Sequence, residues 1–563
     1  TLFEHPTVAT LATALDTADQ ARAPLMPEKR PAQMPLSFAQ QRLWFLNRLE
    51  GPSATYNIPL VLRLDGALNT DALRTALTDL VERHETLRTV LAEEGGIPRQ
   101  DVHSAAEARH LVPLIMESAP VGAAEDEATR WAEDAVVAAA AEAFDLSRDP
   151  AVRVRLLRLG SEVHVLVIVV HHIAADGWSL APLARDLGQA YRARAQGESP
   201  NWATLPVQYA DYTLWQRRTL GEEADSDSPI SRHLDFWRKR LAGLPELLEL
   251  PLDHPRPVVA QHMGGAVPFL LGPDEHQGLA RLARSSGCSM FMVLQAALAV
   301  LLARHGAGDD IPLGTAVAGR SDEALEDLVG FFVNTLVLRT DLSGDPSFRE
   351  LLDRVREIDL AAYAHEDVPF ERLVEALNPE RSQSHHPLFQ TMLVLQNQAT
   401  ARVDMPGIAV TDQSAQTNVS KFDLTFSLTE THDDGRPAGI TGYLEFSTEL
   451  FEAGTAQSLS ERLSGLLAAF ADDPEQRVHR MDLLTGHEKS QLLAAGRGPV
   501  RQVPRLTVPE AFQAQAARTP DAVAVRDADG FLTYGQLNAR ANTLAHHLIH
   551  QGIRPEHLIA LAL

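Results

Sequence analysis

Cysteine is nearly absent: Cys288 is the single one among 563 residues. That excludes a disulfide framework, a thiolate zinc cluster and an iron–sulfur centre. Within the helix-like stretch 286–302 it reads as a buried, inert thiol. Long apolar runs are missing too. None approaches the roughly 20 residues that span a bilayer, and Thr1-Leu2-Phe3-Glu4-His5-Pro6 lacks the basic start of a signal peptide, so a cytoplasmic protein with no membrane partner is expected. No block of Lys or Arg interrupts a formal net charge of −25, which argues against nucleic acid as the main partner. Acidity of this kind mainly confers solubility.

What remains is ordinary globular chain, 45% hydrophobic and 22% charged, long enough for three or four compact units. A short helical piece, 8–15, precedes 21–35, where Pro24, Pro27, Pro31 and Pro35 among scattered charges suit an extended surface linker. Folding resumes at Leu36. Leu73, Ala76, Leu77, Leu80 and Val81 recur with helical period after a start signal at Thr70-Asp71. Val152, Val154 and Leu156 alternate with Arg153 and Arg155, Gly160-Ser161 supplies a turn, and 163–170 is almost unbroken β-branched sequence. This pattern predicts a hairpin whose second strand is buried. Mixed patterns continue from about Leu205 to about Asp472. After a polar stretch, 496–503, another unit starts with a strand at 522–525, an Asp527-Ala528-Asp529-Gly530 turn and a helix opened by Thr533 with capping-box spacing to Gln536. The chain opens without Met and closes on the apolar Leu558-Ile559-Ala560-Leu561-Ala562-Leu563, so it is expected to be a piece of a longer polypeptide.

Chemistry concentrates in His171-His172-Ile173-Ala174-Ala175-Asp176-Gly177-Trp178-Ser179. Here the buried strand hands over to a polar loop and then to a helix, capped by Ser179, with Leu180, Leu183, Leu187 and Tyr191 on one face. Neighbours on an extended chain point to opposite sides, so one histidine faces a cleft and the other faces inward. A near-neutral imidazole can take a proton from a nucleophile, and the Asp176 carboxylate can hold a turn or pair with a cation. Gly177 lets the backbone turn sharply without a Cβ. The spacing equally suits a hydrogen-bonded core histidine at 172 and a helix-opening aspartate at 176, and spacing alone leaves both open. Adjacent histidines chelate one ion poorly. No H-E-x-x-H helix, G-x-S-x-G elbow, P-loop or G-x-G-x-x-G turn accompanies them, leaving a metallopeptidase, Ser hydrolase, NTPase or dehydrogenase unsupported.

These nine residues resemble the HHxxxDGWS signature of nonribosomal peptide synthetase condensation domains. Six further segments resemble that family's motifs in order. They are Leu36-Ser37-Phe38-Ala39-Gln40-Gln41-Arg42-Leu43-Trp44-Phe45-Leu46, Arg83-His84-Glu85-Thr86-Leu87-Arg88-Thr89, Tyr209-Ala210-Asp211-Tyr212-Thr213-Leu214-Trp215, Gly330-Phe331-Phe332-Val333-Asn334-Thr335, His365-Glu366-Asp367-Val368-Pro369-Phe370-Glu371 and Pro387-Leu388-Phe389-Gln390. A lone HHxxxDG is shared with several acyltransferases; seven ordered motifs across 36–390 are far more specific. Leu2-Phe3-Glu4-His5-Pro6-Thr7 resembles the last helix of a peptidyl carrier domain, and Leu532-Thr533-Tyr534-Gly535-Gln536-Leu537-Asn538 the first motif of an adenylation domain. The implied organisation is a carrier-domain end (1–16), a linker (17–35), a condensation N-lobe (36–204) and C-lobe (205–475), a second linker (476–504) and an adenylation-domain start (505–563).

The resemblance implies an α/β (α+β) fold of two chloramphenicol acetyltransferase-like lobes forming a V-shaped pseudo-dimer. Upstream donor and downstream acceptor peptidyl carrier domains would deliver phosphopantetheine arms to His172, where the acceptor α-amine attacks the donor thioester. His172 is the implied catalytic residue, as general base or as the group that orients the amine. His171, Asp176, Gly177, Arg320, Arg88 and Asn334 are the implied supporting residues, with Arg320 the first choice and Arg88 the second for a cation paired with Asp176. No metal and no nucleotide are expected for this step, and the adjoining adenylation domain is a further partner. The Asp176-Gly177-Trp178-Ser179 order argues against an epimerisation domain, and the histidine signature against the DxxxxD of a heterocyclisation domain. An inactive carrier-docking platform is the competing reading. The 37–46 motif resembles the subgroup that takes an L-configured donor. Trp44, Trp178 and Trp215 read as packing residues, His385-His386 as a polar loop, and Pro369-Phe370-Glu371 as a turn that opens a helix.

Overall fold

The computed structural model describes residues 23–562 apart from 52, 381, 397–402, 414–418, 485, 499–501 and 504. The carrier-like segment 1–16 and its expected helix lie outside the described residues, as does 17–22 of the linker. The first lobe contains β1 (Asn57–Gly66), β2 (Thr89–Glu94), β3 (Ile97–Val102), β4 (Leu114–Ser118), β5 (Val152–Arg158) and β6 (Val163–His171). β2 and β3 form a separate hairpin. β6, the β-branched run, is buried on both faces because β1 and β5 flank it antiparallel while helices cover the sheet. The helix predicted from Leu73 to Val81 spans Thr70–Arg83, with Asn69 rather than Thr70 accepting from the Ala72 N–H as its cap. Its buried face packs with the helix Leu180–Ala195.

The second lobe holds β7 (Gly264–Leu271), β8 (Asp310–Val317), β9 (Asn334–Asp341), β10 (Thr391–Gln396), β11 (Ile408–Asp412), β12 (Leu424–Asp433) and β13 (Arg436–Ser447). Six of these strands form one sheet in the order β7-β13-β12-β10-β8-β9, and β11 leaves to join the other sheet, giving β11-β1-β6-β5-β4. The second lobe thus donates an edge strand to the first, from Leu62 opposite Asp412 to Gly66 opposite Ile408. Helix Met290–Leu302 is apolar on every side because it runs through the middle of the second core. With Ala307 as its end, the segment has the length and composition to cross a membrane, yet two-thirds of it is buried inside the lobe. The free edge of β7 is protected by helix Ala453–Asp472, whose Ser460 and Ser464 hydroxyls donate to the Pro268 and Leu270 carbonyls at 2.9 and 3.0 Å.

Several expected edges move because long-range packing outweighs local pattern. Leu25 and Met34 are buried and Met34 bridges to Gln100, so the described part of the 17–35 linker lies packed on the first lobe. The 204/205 boundary falls within packed chain: Leu205, Val207, Tyr209, Tyr212 and Trp215 belong to the first core, as do Leu325, Leu328, Val329, Phe331 and Phe332 from between β8 and β9. Val478 and Met481 complete the second core beyond 475. The helix expected over 286–302 starts later, at Met290, capped by Ser289, and 286–289 join it to a preceding helix, Pro273–Ser285. Cys288 lies half-buried at the break, its thiol 3.6 Å from the Leu352 carbonyl.

Residues Gly486–Leu563 form a separate compact unit. It contains helices Gly486–Ala495 and Val508–Arg518, an antiparallel pair β14 (Val523–Arg526) and β15 (Phe531–Thr533), and helix Tyr534–His550. Thr533 and Gln536 form the expected capping box. The second linker, 476–504, therefore includes a helix.

Candidate active site

β6 ends at His171, and the two histidines diverge there. The His171 N–H donates to the Ala151 carbonyl and the His172 N–H to that of Tyr56, each at 2.8 Å, so both strand neighbours pin the backbone. The His171 ring turns inward, its edge on Phe144 at 5.8 Å, and Nδ1 accepts the Ile173 N–H at 3.1 Å. Burial, then the charges of His172 and Lys421, push its pKa down to about 3. His172 is half-buried and points the other way, packing edge-on against Phe331 at 4.7 Å. Burial, then Lys421, lowers its pKa to about 3 as well, opposed by the carbonyls of His172 and Ala175. Nδ1 is buried without a hydrogen-bond partner among the described residues.

Asp176 is fully buried and joins the two lobes. Its Oδ1 accepts the Ser179 N–H at 2.9 Å and lies 3.3 Å from Arg320 Nη2. Oδ2 accepts the Phe332 and Val333 N–H groups at 2.9 and 3.2 Å. Arg320 also donates to the Leu328 carbonyl at 2.8 Å and covers the Phe332 ring at 4.4 Å. The helix-opening aspartate and the ion-paired aspartate are therefore one residue. Ser179 does not cap the following helix; its hydroxyl points back into this network. That hydroxyl accepts from Gly330 N–H at 3.1 Å and from Arg320 at 3.0 Å, and its single proton goes either to Asp176 Oδ1 or to the Gly330 carbonyl.

Two expected supporting residues have other places. Arg88 donates to the His103 and Glu82 carbonyls and faces Glu85, all on its own side of the first lobe, because the Glu85–Arg88 turn aims it there. Asn334 has its amide committed to backbone: it donates to Glu366 and Val368 carbonyls at 2.6 and 2.7 Å and accepts from Phe370 N–H at 3.0 Å. Gly177 stays beside Asp176 and opens the 3-10 turn Gly177–Ser179 without left-handed backbone.

The ordered motifs converge on the chain at 329–334. Ser37 Oγ lies 2.8 Å from the Tyr209 hydroxyl, which donates to the Phe331 carbonyl at 2.7 Å. Thr86 donates to the Val329 carbonyl at 3.1 Å. Gly330 fits because a Cβ there would collide with the Tyr209 and Phe332 rings. Pro369 opens helix Phe370–Leu377, where Glu371 pairs with Arg42 of the first lobe at 2.8 Å. His386 packs among Phe370, Phe389 and Phe422. Residue spacing did not single out Phe331 or Lys421, since a lone aromatic and a lone lysine carry no local pattern. Elsewhere, His276, Glu430 and His432 cluster on the second lobe. His276 Nδ1 accepts the Gly439 N–H at 3.1 Å and Nε2 meets Glu430 at 3.0 Å, so the ring directs a proton, not a lone pair, toward the cluster.

The condensation domain family model matches residues 31–493, and that of the AMP-binding enzymes matches 512–563. A dimodular nonribosomal peptide synthase of Bacillus subtilis is 49% identical over the whole chain, which spans 23% of that protein. A probable non-canonical nonribosomal peptide synthetase of Salinispora arenicola is 50% identical over the whole chain, which spans 7% of it. Among solved structures, the X-domain in complex with OxyB from teicoplanin biosynthesis is 36% identical, with a TM-score of 0.75 over 83% of this chain and 100% of that one. The chain belongs to the nonribosomal peptide synthetase condensation domains, with the two-lobed, chloramphenicol acetyltransferase-like fold of that family, and carries the start of an adenylation domain behind it.

Proposed function

We propose that this domain joins two carrier-bound acyl groups, the acceptor α-amine attacking the carbonyl carbon of the donor thioester. The C–N bond forms as the C–S bond breaks, the proton leaving nitrogen ends on the departing pantetheine thiol, and the lengthened chain stays on the acceptor carrier. The observation that carries this reading is His172: a half-buried imidazole just beyond the end of β6, held neutral by burial and by the charge of Lys421. An imidazole so weakly basic suits holding and orienting the amine and relaying its proton more than storing that proton. A free α-amine titrates at about 7.7–8.0, so a useful neutral fraction is available and positioning does much of the work. Asp176, Arg320 and Ser179 hold Phe331 against the imidazole.

The domain takes an L-configured donor, a reading supported by the Ser37 to Leu46 motif; matched L- and D-donor thioesters test it, and preference for the D form sinks it. The test of the main reading is single-turnover peptide formation with both carriers loaded. His172→Ala is expected to abolish product while leaving the melting temperature and carrier binding nearly unchanged, because a half-buried imidazole contributes little packing. Likeness to a domain solved as a complex with another protein favours the alternative, a docking platform. That alternative requires carrier binding with no product from the wild-type chain.

A further inference from the structure

The second lobe sends a cation toward the histidine strand end. Lys421 lies between Val419, which bridges to Met263, and the start of β12. Its loop is held firmly: the Ser420 N–H donates to the His262 carbonyl at 2.9 Å, the Ser420 hydroxyl to that of Phe422 at 2.7 Å, and Asp423 takes both terminal nitrogens of Arg256. From this anchorage the Lys421 ammonium crosses to the first lobe and sits 4.6 Å above the ring of Tyr56. Tyr56 is the residue whose carbonyl holds the His172 N–H, and its ring lies 6.2 Å from that of His171.

We propose that Lys421 is a positioning residue for the condensation step: a cation fixed over Tyr56 that sets the electrostatic potential at the His172 imidazole and favours negative charge developing beside it. The inference rests on the reading that amide formation takes place at His172. Attack on a thioester carbonyl puts negative charge on the carbonyl oxygen, and a fixed cation in a poorly solvated cleft lowers the energy of that charge without reorganising. The same cation opposes protonation of both histidines, as the largest influence on His172 after burial and, for His171, behind burial and His172. Arg42 also faces His172, but its charge is matched by Glu371 at 2.8 Å. Lys421 closes no ion pair among the described residues. The acid that acts on it, Glu445 on β13, is itself held toward its neutral form by burial. Burial, offset by Glu445 and reinforced by Arg42, brings the Lys421 pKa down to about 8, so the cation is lost just above neutrality.

The test compares Lys421→Met, which keeps length and apolar contact, with Lys421→Arg, which keeps charge, in single-turnover peptide formation across pH 6 to about 10. Lys421→Met is expected to lower the rate about tenfold at pH 7 with carrier affinity unchanged, and Lys421→Arg to restore most of it. The ratio of wild-type to Lys421→Met rates, in which titration of the acceptor amine cancels, is expected to fall toward one as pH rises through about 8, whereas the Arg-to-Met ratio holds. Histidine NMR of the whole chain is expected to place the His172 midpoint higher in Lys421→Met, a measurement that needs no turnover. Equal slowing by Met and Arg, or a pH-independent ratio, overturns the proposal and leaves Lys421 a simple lobe contact. An active His172→Ala in the same assay would overturn the reading beneath it instead.

Discussion

Asp176 of the first lobe and Arg320 of the second meet at 3.3 Å in a site from which water is excluded, with one carboxylate oxygen on the arginine and the other on the Phe332 and Val333 N–H groups. Removing the acid would bury an uncompensated guanidinium and two orphaned donors. Breaking such a pair costs about 3–5 kcal/mol. Asp176→Ala is therefore expected to lower the melting temperature strongly and to lose activity with it, and Asp176→Asn to be milder because it keeps an acceptor. Thermal unfolding beside single-turnover assays checks this. An inactive Asp176→Ala with wild-type stability would assign the carboxylate to the chemistry instead.

Gly330 offers a packing test of the same junction. A methyl group there would lie about 2.6 Å from the Phe332 ring and would also strike Tyr209, which cannot retreat because its hydroxyl is bound at both ends. Overpacking of this kind costs about 1–3 kcal/mol. Gly330→Ala is expected to destabilise and slow the domain, while Gly454→Ala, in open space on helix Ala453–Asp472, is expected to be neutral or slightly stabilising. Equal melting temperatures for the two variants would contradict the packing account.

With a pKa near 3, His172 stays neutral throughout the working range, so the acid limb of the rate profile belongs to the acceptor amine. Rates measured from pH 5.5 to about 8.5 with acceptors of different amine pKa are expected to shift their limb with the amine. A limb fixed near the ordinary histidine value, whatever the acceptor, would show that His172 titrates there.

Asp359 presents a second titration, remote from the site. It is fully buried on helix Phe348–Tyr363, its carboxylate oxygens have no hydrogen-bond partner among the described residues, and burial pushes its pKa up to about 7. The folded state therefore holds this proton after the unfolded chain has released it. Stability falls as pH rises from about 4 through about 7 and is flat above, a loss on the order of a few kcal/mol. Asp359→Asn removes the loss, so its melting temperature is expected to exceed that of the wild type at pH 8 and to converge with it toward pH 4.5. Parallel curves would rule this out.

Some of this was legible in the chain. The β5–β6 hairpin, the helix from Thr70 and the Thr533 capping box follow from residues within one turn or strand of each other, and the structure has them nearly where the pattern puts them. The opposed faces of His171 and His172 follow from the two-residue repeat of a strand. Arg88 and Asn334 were misplaced because motif membership says that residues are needed, not where their side chains turn. Both serve backbone carbonyls that only the folded loops present.

By itself, the sequence determined what depends on neighbours along the chain: the buried strand, the loop that follows it, the helix starts, and the family through seven motifs in order. Tertiary structure alone decided which distant groups meet. It brought Thr86, Tyr209 and Asp176 onto the chain at 329–333, with Ser37 behind Tyr209, moved β11 into the first lobe's sheet, and set Lys421 over Tyr56. The physical reason is that local propensity acts over a few residues, whereas buried donors, acceptors and charges must find partners wherever the fold places them.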